Sequence, residues 1–302
     1  MMSVIGAVKN YIRLRHSLTT AKPLLVALQG PQGSGKSFVS AEVQKEMATD
    51  PNPLRVVVLS IDDFYLPHMG LVELANQYSR NRLLHGRGQP GTHDVQLACR
   101  VLTSLKQHAS ETQLPSFDKS RFNGQGDRLP PGESPLIHQP PVIDVVLFEG
   151  WCVGFHPIIA EELEAQWKTW EEERRKLEIQ EDICSKADIV KISKYLQGYK
   201  ELWGLFDVLI KFGLPPATPD DGSAYKIIYQ WRLEQEHYMK SLRNQGMSDD
   251  EVKMFIDRYI PGYVFFGTTA QDFGNGSGLF PGGCLDLTLG LERQLLRSKE
   301  RV

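Results

Sequence analysis

Leu24-Leu-Val-Ala-Leu28-Gln29-Gly30-Pro31-Gln32-Gly33-Ser34-Gly35-Lys36-Ser37 is the stretch on which the reading of the chain turns. Its apolar start predicts a short buried strand, and Phe38 to Val43 has spacing compatible with a helix. Between them, Gly30 to Ser37 fit the phosphate-binding pattern G-x-x-x-x-G-K-S. The chemistry accounts for the spacing. Glycines at 30, 33 and 35 let the backbone turn its N–H groups inward, and the helix opening near Lys36 adds its positive end. All eight residues, from Gly30 through Pro31, Gln32, Gly33, Ser34 and Gly35 to Lys36 and Ser37, are therefore candidates for the nucleotide cradle. Lys36 can reach the β- and γ-phosphates, and the Ser37 hydroxyl can join the coordination of Mg²⁺.

Two more strands end in acidic residues. Arg55-Val-Val-Val-Leu-Ser60 is apolar on both parities, as in a strand covered on both faces, and Asp62-Asp63-Phe64-Tyr65 follows it. Val142-Ile-Asp-Val-Val-Leu-Phe148 is the third strand, ended by Glu149-Gly150-Trp151. In an open parallel sheet, ligands bind beyond the carboxyl ends of strands. Asp62 is thus the catalytic candidate, with Asp63 and Tyr65 beside it on the substrate side. Capping of the next turn is the competing role for either aspartate. Glu149 is expected to hold Mg²⁺ with Ser37, or to polarise the attacking group.

The segment from 64 to 141 supplies the remaining acceptor-side candidates. Residues 71–83 predict a helix. His85-Gly-Arg87-Gly-Gln-Pro-Gly91-Thr-His93-Asp94 is punctuated by glycine and proline, so it predicts a structured loop, with Asp94 capping a helix from Val95 to Gln107. Arg87 and His93 could hold an anionic substrate; a solvated arginine and a packed histidine are the plain alternatives. Residues 109–141 lack periodicity, and a loop of that length is usually functional or mobile. Its Phe117-Asp-Lys119-Ser-Arg121-Phe122 places Lys119 and Arg121 as acceptor contacts, against the alternative of a salt-bridged surface turn.

Residues 157–183 read as a charge-rich, partly exposed helical insertion in which Trp167 and Trp170 lie three apart. A solvated face is the ordinary reading; a protein partner is the other. Ile192 to Tyr199 gives a further helical stripe, and Phe206 to Phe212 a fourth strand. Residues 215–260 form a lid-like helical region: a helix from Tyr225 to Leu242, then a capping box at Ser248-Asp-Asp-Glu251 opening a helix that stops before Pro261. Arg232 is the candidate for closing over the transferring phosphate, ahead of Arg243 and Arg258; an ordinary pair with Glu236 is its alternative. Residues 268–283 predict loop, and the alternation from Cys284 to Leu289 a last strand.

The chain has 302 residues and a net charge of −3, enough for a substantial core and without the basic excess that nucleic acid or an anionic membrane would require. No apolar run approaches a membrane span. The four scattered cysteines, Cys99, Cys152, Cys184 and Cys284, form no C-x-x-C pair and fit a reducing compartment, the cytoplasm or the nucleus. Residues 1–20 predict an amphipathic leading helix rather than a targeting peptide. With no repeat and no linker, residues 1–302 are expected to form a single domain.

The phosphate loop, Ser60-Ile-Asp-Asp-Phe-Tyr-Leu66, Gly86 to Asp94, Phe117 to Arg121, Phe148-Glu-Gly-Trp151, Trp231-Arg-Leu-Glu-Gln-Glu-His237 and Met247 to Pro261 together resemble a known family. The wider resemblance is to the phosphoribulokinase, uridine kinase and pantothenate kinase group. The closer one is to fungal ATP-dependent kinases similar to plant D-glycerate 3-kinase. It implies an α/β fold of the P-loop NTPase type: a doubly wound, mainly parallel sheet with helices on both faces. It implies ATP and Mg²⁺, a small hydroxyl compound as acceptor with glycerate as the first expectation, and Asp62 as the base for the acceptor hydroxyl. A nucleoside or pantothenate kinase is the second enzyme reading, and a nucleotide-gated, ATPase-like binding module is the rival from another class.

Overall fold

The structure, a computed structural model, describes residues 2–20, 22–216, 222–243, 246–267 and 279–301. Strand β1 (Leu24–Gln29) is buried at every position, which explains its apolar run on both parities. It lies between β7 (Val145–Gly150) and β8 (Val208–Gly213), parallel to both. β2 (Val56–Ser60) adds to β7, and β9 (Cys284–Leu289) to β8, again in parallel. β10 (Leu295–Arg301) closes the far edge antiparallel to β9, giving the order β10-β9-β8-β1-β7-β2. The next strand in sequence after β1 lies on one side of it and β8 on the other, so the strand order reverses at β1, where ligands of such sheets bind.

The helix α1 (Val4–Leu18) buries Ala7, Val8, Tyr11 and Ile12. Its basic residues have a structural use: Lys9 pairs with Glu46 at 2.7 Å and Arg13 with Asp50 at 2.5 Å, fastening it to α2 (Lys36–Thr49). One cluster of buried apolar side chains runs from Ala7 to Leu289.

Several boundaries differ from expectation. The helix expected over 71–83 is α3 (His68–Gln77), followed by a short turn at Arg82–Leu84. α4 (Val95–Lys106) starts as expected, with Asp94 accepting the Leu97 amide at 2.9 Å. The aperiodic stretch 109–141 is two small ribbons, one pairing β3 (Glu111–Gln113) with β6 (Leu136–His138), the other β4 (Phe117–Asp118) with β5 (Asp127–Arg128). Strands this short carry no periodic signal.

The charged segment holds α5 (Ala160–Lys176), where Trp170 is fully buried and Trp167 stacks on Phe265 at 5.7 Å. Both tryptophans pack inward, which takes away the feature that suggested a partner there. α6 (Lys186–Trp203) and α7 (Lys226–Arg243) follow. α8 (Asp249–Asp257) opens on the expected capping box, with Ser248 and Glu251 bonding reciprocally. Pro261 does not end the helical region; it sits in the first turn of α9 (Ile260–Phe266), whose residues are all buried. A proline has no amide to lose at a helix start. The loop expected at 268–283 lies outside the described residues up to 278, as does the side chain of Arg243. Among the described residues no helix is long and apolar enough to cross a membrane.

Candidate active site

The loop after β1 is shaped by its glycines and by what packs behind it. Gly33 has φ +72, and a Cβ there would stand 2.6 Å from Cβ of Trp231 and 2.7 Å from its carbonyl carbon. α7 therefore lies against the loop backbone, with room for no side chain between them. Gly35, at φ +87, caps α2, whose first residue is Lys36. Gly35, Lys36, Ser37 and Phe38 of that first turn, where helix N–H groups have no intrahelical partner, line one cavity. Inside the loop, Lys36 Nζ and Ser34 Oγ both donate to the Pro31 carbonyl, at 3.0 and 2.7 Å. Gln32 donates its amide to the Tyr263 hydroxyl at 3.1 Å. Burial lowers the pKa of Lys36, and the charges of Glu149 and Asp62 oppose that shift.

Glu149 ends β7 as a buried carboxylate, and Ser37 Oγ donates to its Oε1 at 2.9 Å. A hydroxyl and a carboxylate side by side are hard oxygen donors, the set that Mg²⁺ takes together with water and substrate phosphates. The residues present thus fit the ion that the phosphate loop implies.

Beyond β2 the chain tightens into one turn, Ile61–Phe64, held by Ser60 Oγ accepting the Asp62 amide. The turn sends its two aspartates in different directions. Asp62 faces the cavity; Tyr65 donates its hydroxyl to Oδ1 at 2.8 Å and Lys119 its ammonium to Oδ2 at 2.5 Å. Burial pushes the Asp62 carboxyl up, but Lys119 and the Tyr65 hydrogen bond outweigh it and bring it to about 2. Asp63 turns away from the cavity and accepts the Phe117 amide at 3.2 Å, which fixes β4 to the turn. Burial raises its carboxyl to about 6.

The other acceptor-side candidates divide in the same way. Tyr65, Arg87 and Lys119 line the cavity with Asp62. His93 stands one layer behind: it stacks on Tyr65 at 4.6 Å and shares a 2.7 Å hydrogen bond with the Tyr199 hydroxyl, and burial lowers its pKa to about 4. Arg121 pairs with Glu133 and Asp118 on the ribbon and is not part of the cavity wall. Arg232 reaches the cavity from α7, paired with Glu236 at 2.6 Å and lying over the Phe255 ring.

Three further residues shape the site but have no site role in the sequence reading. Arg293, in the turn between β9 and β10, donates to the Gly33 carbonyl at 2.6 Å and pairs with Glu234 of α7 at 2.8 Å. It thereby clamps the phosphate loop to the helix above it. Trp151 donates to the Gly88 carbonyl at 2.9 Å, and the Tyr259 hydroxyl occupies the space where a side chain at Gly88 would stand. These two shape the 85–93 loop from behind. Only Trp151, adjoining Glu149-Gly150, carried a local hint. The cavity that all these elements enclose measures about 1070 Å³.

A strand–loop–helix phosphate cradle, with strand-end carboxylates beside it in a mainly parallel sheet, defines the class: a P-loop kinase. The chain matches no model of a known protein family. It is 33% identical over 287 residues to a Saccharomyces cerevisiae protein named "Probable ATP-dependent kinase TDA10", covering 92% of this chain and 89% of that one. To the chloroplastic D-glycerate 3-kinase of Arabidopsis thaliana it is 31% identical over 247 residues, 80% of this chain and 47% of the plant protein. The solved structure of D-glycerate 3-kinase from Cryptococcus neoformans superposes with a TM-score of 0.82 at 30% identity, covering 98% of both chains. The chain belongs to the family of ATP-dependent kinases related to D-glycerate 3-kinase. It is a small-molecule kinase.

Proposed function

We propose that the chain moves the γ-phosphoryl group of ATP to a hydroxyl of a small hydroxy acid, glycerate or a close relative, with Asp62 as the base. The observation that carries this reading is the Asp62 carboxylate, gripped by Tyr65 and Lys119 in the same cavity as Lys36, Ser37 and Glu149. The names of the relatives add support for the acceptor.

The loop amides and Lys36 hold the triphosphate. Mg²⁺, when bound by Ser37 and Glu149, neutralises charge on the phosphate oxygens. The acceptor oxygen attacks the γ-phosphorus, the bond to the β,γ-bridging oxygen breaks, and ADP leaves. The hydroxyl proton passes to a carboxylate oxygen of Asp62. A base held near pKa 2 is weak, and that suits a loose transition state in which the proton moves late. Tyr65 and Lys119 fix the carboxylate's direction, so positioning rather than basicity supplies the rate. Arg232 adds positive charge from α7 as charge spreads over the phosphoryl oxygens.

The test is ADP release from ATP·Mg²⁺ with a panel of D-glycerate, other hydroxy acids, pantothenate, nucleosides and sugars. Strict dependence on a hydroxy acid is the expected result. Turnover only with nucleosides or pantothenate overturns the acceptor assignment. ADP release at full rate with no acceptor overturns the transfer itself.

A further inference from the structure

The cations around the cavity fall into two sets. Arg232 has Glu236, Arg293 has Glu234 and Lys119 has Asp62 as a carboxylate partner. Arg87 and Arg258, which also line the cavity, bond instead to backbone carbonyls, as Lys36 does within the phosphate loop. Arg87 Nη1 donates to the carbonyls of Gly124 and Gln125, at 2.6 and 2.5 Å. Arg258 Nη2 donates to the Leu83 carbonyl at 3.2 Å, and its Nε is buried with no hydrogen-bond partner. A guanidinium partly withdrawn from water without an anion is unfavourable. Carbonyl bonds on one nitrogen orient such a group while leaving the rest of its fork open for a carboxylate.

The positions of the two arginine sets also differ. The Arg232 amide abuts the space at Gly33, which puts that arginine at the phosphate end. Arg258 is tied to the 83–89 segment: its own carbonyl accepts Gln89 Nε2 at 2.7 Å, and the neighbouring Tyr259 packs under Gly88. Tyr65 is bonded to Asp62 and lies within electrostatic reach of Arg258. Burial holds the Arg258 guanidinium below its ordinary range, and Arg87 and Arg82 push in the same direction. An incoming carboxylate relieves each of these.

We propose that Arg258, with Arg87 beside it, anchors the carboxylate of the acceptor and so makes this kinase selective for a hydroxy acid over the corresponding neutral alcohol. Arg258 then acts on the acceptor and not as a lid over the phosphates. The proposal rests on the hydroxy-acid reading above and adds the residues that enforce it. Asp62 and the arginines would hold the two ends of one small molecule, hydroxyl toward the nucleotide and carboxylate away from it.

The experiment measures steady-state ADP release with D-glycerate and with glycerol, in wild type and in Arg258→Lys, Arg258→Met and Arg87→Lys. Lysine keeps the charge and loses the fork. The expected result is a KM for D-glycerate raised about 10- to 100-fold in each variant, the size of a lost charge-assisted hydrogen bond. The KM for ATP stays within about 2- to 3-fold, and the preference for D-glycerate over glycerol shrinks. An unchanged ATP KM also shows that the variants are folded, and Arg87→Lys serves if Arg258→Met is not. If Arg258 variants raise the KM for ATP and leave that for D-glycerate unchanged, the anchor assignment is overturned while the hydroxy-acid reading stands. If wild type neither turns over D-glycerate or another hydroxy acid nor gains thermal stability from one in the presence of ADP·Mg²⁺, both fall together.

Discussion

The ammonium of Lys119, carried on the ribbon after β4, lies 2.5 Å from Oδ2 of Asp62, in the turn after β2. A ribbon from the 109–141 stretch thus reaches the strand-end carboxylate and lowers its pKa.

That contact has a sign that can be checked. Asp62 is held at about 2 against a burial effect that would raise it. A base works only when ionised, so activity carried by Asp62 is present above its pKa and lost as pH falls through it. In Lys119→Met, the largest influence opposing burial is gone, and the Tyr65 hydrogen bond and His93 remain. The acid limb of the kcat/KM profile should therefore move to higher pH than in wild type. An acid limb that stays in place shows that Lys119 does not control the carboxylate.

Gly33 is tied to two partners at once, α7 through Trp231 and the β9–β10 turn through Arg293. Gly33→Ala adds left-handed strain of about 1–2 kcal/mol and a collision with the Trp231 backbone, so it should raise the KM for ATP strongly. Arg293→Ala keeps the backbone but frees the Gly33 carbonyl and Glu234, and should raise the ATP KM by a smaller factor with no change for the acceptor. Nucleotide titrations on the two variants separate these effects; equal affinities across wild type and both variants would contradict them.

His93 predicts a pH dependence of stability with the opposite origin from that of activity. Burial lowers its folded pKa to about 4, below the unfolded value near 6.5. Between those values the unfolded chain binds more protons, so this contribution to stability is full above about pH 6.5 and is lost as pH falls toward 4. Asp63, raised to about 6 by burial, has the reverse sign over about pH 4–6, because the folded chain there binds the extra proton. The difference between wild type and His93→Gln isolates the histidine. Its Tm should fall less steeply than that of wild type between pH 6.5 and 4; parallel curves would refute the assignment.

What could be read in the chain follows from how local each feature is. The phosphate loop and the carboxylates of Asp62 and Glu149 are legible because each sits at fixed spacing from an apolar strand that the sequence marks plainly. The separate fates of Asp62 and Asp63 are not, because a tight turn after β2 sends neighbouring side chains to different places. Arg293 is invisible locally. It acts through 260 residues of sequence separation, from a turn before an edge strand whose Arg297, Ser298, Lys299 and Glu300 are exposed and hide the strand's character. Arg258 is legible as a cation but not by its neighbours: only the fold shows that Leu83 meets it with a carbonyl and not with a carboxylate. Trp167 and Trp170 read as a surface feature because charges surround them in sequence; Phe265, far along the chain, packs against both.

The central claim is that Asp62 takes the proton of the acceptor hydroxyl, and Asp62→Asn tests it most directly. Asparagine keeps the shape and removes the charge and the basicity. The measurement is kcat for acceptor-dependent ADP release beside the affinity for ATP·Mg²⁺. The account predicts a kcat lower by about 10²- to 10⁴-fold with ATP affinity within about 3-fold of wild type. An Asp62→Asn enzyme that phosphorylates its acceptor at the wild-type rate would contradict it.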